Sequence, residues 1–98
     1  KMSDIGKLVD MPIEEFRREI VDQKVNVGTI NTLILNLEGA YHQLIVAKDS
    51  LIASDSRCTE AGINAVEGLY AEMTKIELKV VFLKELRKDY LKAGNQEN

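Results

Sequence analysis

The chain has 98 residues, 45% of them hydrophobic and 30% charged, enough for one small domain and not for two. Its net charge of −3 and pI near 5.1 disfavour a general nucleic-acid binder, which carries a basic balance. Cys58 is the only cysteine, which excludes an internal disulfide and points to a cytoplasmic setting.

No apolar run reaches the roughly 18–20 residues of a membrane span, and the opening KMSDIGKLVDMP lacks the apolar core of a secretion signal. Aromatic residues are only Phe16, Tyr41, Tyr70, Phe82 and Tyr90, too few for a platform that stacks single-stranded nucleic acid.

Residues 1–11 have weak periodicity and are expected to form a flexible arm that docks through Ile5, Leu8 and Val9. A short N-terminal helix is predicted over about 12–24. Pro12 suits a first helical position, Glu14 and Glu15 favour the dipole, and Ile13, Phe16 and Ile20 form one apolar stripe. The helical spacing fades at QKVNVG, and Gly28 is expected to end or redirect the chain.

Thr29 is the expected N-cap of a second helix, about 30–53. Its seam of Ile30, Ile34, Leu37, Tyr41, Leu44, Lys48 and Leu51 has the alternating four-and-three spacing of coiled coils. Leu33, Ile45, Val46 and Ile52 widen the apolar surface beyond one seam. SDSR at 54–57 reads as a turn, with Asp55, Ser56 or Thr59 as caps.

A third helix is predicted over about 59–92. Its seam is Val66, Leu69, Met73, Ile76, Val80 and Leu83, then Arg87 and Tyr90, with Ile63, Tyr70, Val81, Phe82, Leu86 and Leu91 adding a second strip. Gly94 and the polar residues 93–98 are expected to fray. At about 1.5 Å per residue the third helix is roughly 50 Å long and the second roughly 36 Å. The fold class is therefore all-α, a long antiparallel hairpin with a short helix folded onto it, in one domain over 1–98. The longer helix overhangs its partner. Either the short helix or another subunit must cover Phe82, Leu83, Leu86 and Leu91, which are candidates for an oligomer surface.

The phrases LEGAY and VEGLY put Gly39 and Gly68 inside the two long helices, each two residues before a tyrosine. A helical glycine costs about 1 kcal/mol relative to alanine, so a compensating close approach is expected. With the turn centred between Asp55 and Ser56, Tyr41 and Tyr70 fall level. The leading reading is a thinned waist with the tyrosines packed in it. A second is a contact surface for another helix or another copy of the chain. A third is a small-molecule pocket.

Catalytic chemistry finds little support. His42 is the only histidine and has no metal-binding partner at helical spacing. Cys58 and His42 are roughly 20 Å apart along a hairpin, too far for a nucleophile pair. No phosphate loop or dinucleotide fingerprint is present, and no metal or cofactor is expected. The basic residues Lys84, Arg87, Lys88 and Lys92 suit a helix C-terminus; with Lys48 they are the candidate contacts for an anion.

The chain therefore reads as a non-enzymatic, self-associating interaction module: a small adaptor, chaperone-like binder or inhibitor that meets itself and another protein. The alternative is an oligomeric regulator that holds a small anionic ligand, such as a nucleotide, between helices or subunits.

Overall fold

The computed structural model describes the backbone of residues 5–97 and the side chains of residues 6–94. Four helices follow in order: α1 (Ile5–Asp10), α2 (Ile13–Gln23), α3 (Val27–Ala53) and α4 (Glu60–Glu97), with a 3₁₀ turn over Asp55–Cys58 between the last two. The described residues contain no strand. α3 and α4 form the antiparallel hairpin, and the molecule measures 58 × 21 × 20 Å.

Part of the expected arm is helical. Six residues are too few for a helix that stands alone, so α1 depends on its contacts. Leu8 is buried in the core and Val9 packs beside it. The other contact comes from α4. Lys79 has no exposed surface, and its Nζ donates hydrogen bonds to the Leu8 carbonyl at 3.1 Å and to the Val9 carbonyl. These are C-terminal carbonyls of α1, which lack intrahelical partners and carry the negative end of the dipole. Lys79 therefore caps α1 from another helix. Residues 1–4 of the arm and the Ile5 side chain lie outside the described residues.

Pro12 occupies the N-cap of α2, with φ −60° and ψ 153°, one place earlier than expected. Phe16 and Ile20 are buried on one side of this helix. α2 ends at Lys24, in the left-handed region at φ 49° and ψ 50°, where its amide donates to the Val21 carbonyl. Gly28 is not the break that the sequence suggests. It lies in the first turn of α3, and the N-cap is Asn26 rather than Thr29. The Asn26 side chain accepts a hydrogen bond from the Thr29 amide at 2.8 Å.

The hairpin turn falls where the polar cluster predicts it. Thr59 accepts a bond from the Gly62 amide through its Oγ1 at 3.0 Å, as an N-cap should. α4 then runs to Glu97, through Gly94 and past the expected end at 92.

The core lies at the open end of the hairpin. Leu8, Phe16, Ile20, Ile30, Leu33, Ile34, Leu37, Ile76 and Leu83 form one buried cluster. Phe16 meets Phe82 edge-on, with ring centroids 6.2 Å apart. The Arg17 guanidinium lies 5.7 Å from the centroid of the Phe82 ring. α2 thus packs on the α4 overhang at Phe82, while Leu83 lies in the same core and Leu86 packs against it.

Candidate interaction surface

Past this core the hairpin continues as two helices without a third layer. Between residues 41 and 72 the only buried residue is Gly62. Leu44, Ile45, Leu51, Val66 and Leu69 are half-buried, while Val46, Ile52, Ile63 and Tyr70 are exposed. A helical pair of this kind buries one stripe of each helix and leaves the flanking apolar positions to water.

Two shallow grooves lie along this arm. One, near the tip, is lined by Ile52, Arg57, Cys58, Ile63, Val66, Glu67 and Tyr70. The other, at mid-length, has Ile76, Val80 and Val81 as its apolar floor, with Glu38, Tyr41 and Glu77 on its walls. Tyr70, Glu77 and Val81 recur at seven and four residues, so both grooves open along one side of α4.

Tyr41 donates a hydrogen bond from its hydroxyl to Glu77 Oε2 at 2.7 Å. That carboxylate raises the phenol above its ordinary pKa of 10.0, first through the hydrogen bond, then with contributions from burial and the nearby negative charge. Tyr70 meets Lys48, whose Nζ lies 5.4 Å from the ring centroid. Tyr41 and Tyr70 are thus not level. The register is displaced by about two helical turns, because the turn is not symmetric. The chain passes through the 3₁₀ turn before it reverses, and α4 begins beyond the end of α3.

The waist reading of the two phrases also changes. Gly39 and Gly68 are exposed, and a Cβ added at either would meet nothing within 4 Å. Neither thins a contact within the chain. The glycine that permits close approach is Gly62, whose added Cβ would lie 2.0 Å from the Ser56 carbonyl oxygen. Gly39→Ala and Gly68→Ala are each expected to stabilise the monomer by about 1 kcal/mol, by helix propensity alone. Gly62→Ala should destabilise it. Thermal melts check both signs, and a Gly39→Ala or Gly68→Ala loss would show a contact that the monomer lacks.

The remaining candidates disperse. Leu83 is fully buried, Phe82 and Leu86 pack on the chain's own core, and only Leu91 of that set is exposed. The cations do not converge. Lys48 is 3.4 Å from Asp49 and faces Tyr70, Lys84 is 3.5 Å from Glu38, and Arg87 donates to Asn31 at 2.8 Å. Lys88 and Lys92 are exposed. His42 is exposed, and Cys58 is a free, exposed thiol at the tip.

Among the described residues no three His, Cys, Asp or Glu side chains form a candidate metal site, and no helix is long and apolar enough to cross a membrane. Sequence reasoning missed Lys79. Its signal was a lysine placed between Ile76 and Leu83, at helical spacing from both, on the buried side of α4. Comparison with protein-family models, with curated proteins and with solved structures finds no match.

Proposed function

We propose that this chain is a non-catalytic helical interaction module that self-associates through the uncovered part of its hairpin. The observation that carries this reading is the two-helix arm, in which no apolar side chain from residue 41 to residue 72 is buried. Exposed Ile52, Ile63 and Tyr70 lie together around the tip groove, and contiguous apolar surface of this kind marks a contact site. Association would supply the missing layer, as in helical bundles.

An adaptor, chaperone-like or inhibitory role fits such a surface, with another protein as the further partner. The exposed thiol of Cys58 accords with a reducing compartment such as the cytoplasm. The alternative of a regulator with a small anionic ligand has less support, because Lys48, Lys84 and Arg87 already face partners within the chain.

Light scattering at micromolar concentration tests the proposal. The expected mass is at least twice the chain's 11.0 kDa. A mass of 11.0 kDa at that concentration would overturn it.

A further inference from the structure

We infer that the partner on this surface is a second copy, docked α4 against α4 in antiparallel fashion, with the twofold axis between Glu77 and Leu78. The inference rests on the self-association proposed above and adds the face and the register.

Its basis is the pattern along the flank of α4 that borders α3, where Tyr70, Glu77 and Lys84 reach Lys48, Tyr41 and Glu38. Ile63, Tyr70, Glu77, Lys84 and Leu91 recur every seven residues, and Glu67, Thr74, Val81 and Lys88 form a parallel row. Recurrence at seven keeps residues on one seam of a pair of supercoiled helices. The apolar members are open to water: Ile63 and Tyr70 are each 48% exposed, Val81 59% and Leu91 53%, with Leu78 beside them at 47%. Such exposure needs a cover that the chain itself does not provide.

Charge along the same seam changes sign at mid-helix. Glu60, Glu67 and Glu77 lie in the first half, and Lys84 and Lys88 in the second, with Glu85 and Lys92 beside the seam. A parallel arrangement would align like charges. The antiparallel arrangement about an axis between Glu77 and Leu78 places Glu67 opposite Lys88 of the second copy. It places Thr74 opposite Val81, and Tyr70 opposite Glu85, within reach of its hydroxyl. Ile63 of one copy falls beside Leu91 of the other. Glu77 flanks the axis near its own counterpart, a like-charge approach that its bond to Tyr41 of the same chain relieves by drawing it toward α3; Leu78 and Val81 form the apolar centre. Because the interface is isologous, every such pair occurs twice. The bare arm of each hairpin then lies along the base of the other.

A charge-exchange cycle tests this register. Glu67 and Lys88 are exposed, so Glu67→Lys and Lys88→Glu leave the monomer's core untouched. The dimer dissociation constant is measured by analytical ultracentrifugation at low salt. Each single variant should weaken association roughly tenfold, through two lost pairs and two new repulsions, and the double variant should recover to within about threefold of the parent. Both effects should shrink in high salt. A second measurement uses Leu78→Cys in a Cys58→Ser background, which should form a disulfide-linked dimer on mild oxidation because the axis passes beside residue 78.

Single variants that bind as tightly as the parent, or a double variant no better than either single, would overturn the register. So would a failure of Leu78→Cys to cross-link. If the parent remained dimeric in those cases, self-association would stand on another face. A monomeric parent would remove both inferences.

Discussion

Phe16→Ala should destabilise the fold by about 3–5 kcal/mol, the range for an aromatic ring deleted from a packed core. Phe16 has no exposed surface, meets Phe82 edge-on, and lies 5.4 Å below the Lys79 ammonium. It is also the largest apolar side chain through which α2 reaches the hairpin. Domains of this size are stable by only about 5–15 kcal/mol, so the loss would be a large share of the total.

The same variant should have a second effect. With α2 loosened, Phe82, Leu83 and Leu86 would lose their cover and become apolar surface that a neighbouring chain can use. Urea titration should show the lower midpoint, and light scattering should show masses above that of the parent. Val21, on the opposite side of α2 and 59% exposed, is the control; Val21→Ala should change stability by less than about 0.5 kcal/mol. A Phe16→Ala loss below about 1 kcal/mol would mean that the site collapses around the cavity or that α2 contributes little.

The hairpin was legible because seams at three and four residues persist over many turns, and such a pattern has few other structural solutions. The turn was legible from SDSR and Thr59. Register across the hairpin was not, since it depends on how far the chain travels before it reverses. A 3₁₀ turn and a glycine seated against the Ser56 carbonyl displaced Tyr41 from Tyr70 to Glu77.

Gly28 looked like the break because glycine favours positive φ, yet Lys24 adopts that conformation and Asn26 supplies the cap. Competing local signals lay four residues apart, and tertiary fit chose between them. The arm could not be read as a helix from its own residues, since α1 depends on Leu8 in the core and on a lysine 70 residues away from Val9. Of the candidate site, the exposed apolar positions Ile63, Tyr70, Val81 and Leu91 were already visible as a second strip. Which of their neighbours the chain would itself cover depended on where α2 came to rest.

The stability of the protein should rise between pH 8 and pH 9.5, and Lys79 is the reason. Burial, with a smaller contribution from neighbouring Lys75, lowers its pKa from 10.5 to about 8; Asp10 and Glu72 oppose the shift. Below pH 8 the folded and unfolded chains both carry the proton. From about 8 up to 10.5 the unfolded chain holds a proton that the folded chain has released, so stability increases with pH. The limiting slope is about 1.4 kcal/mol per pH unit, and the expected gain across the window is on the order of 1–2 kcal/mol.

The neutral amine keeps two N–H donors, which match the two carbonyls of Leu8 and Val9. The cap therefore survives deprotonation while the desolvated charge disappears. Tyr41 acts in the opposite sense. Its phenol is held above 10.0, so its contribution is present below that pH and lost as pH rises through the folded value. The upper limit of 9.5 keeps the two effects apart. Lys79→Met should abolish the rise, and it should also speed hydrogen exchange in α1, whose last carbonyls lose their donor. Urea midpoints at pH 7.5, 8.5 and 9.5 decide the matter. A flat profile for the parent, or an equal slope in Lys79→Met, would mean that this ammonium is better solvated than its position beneath α1 implies; unchanged exchange in Lys79→Met would mean that α1 is held by Leu8 and Val9.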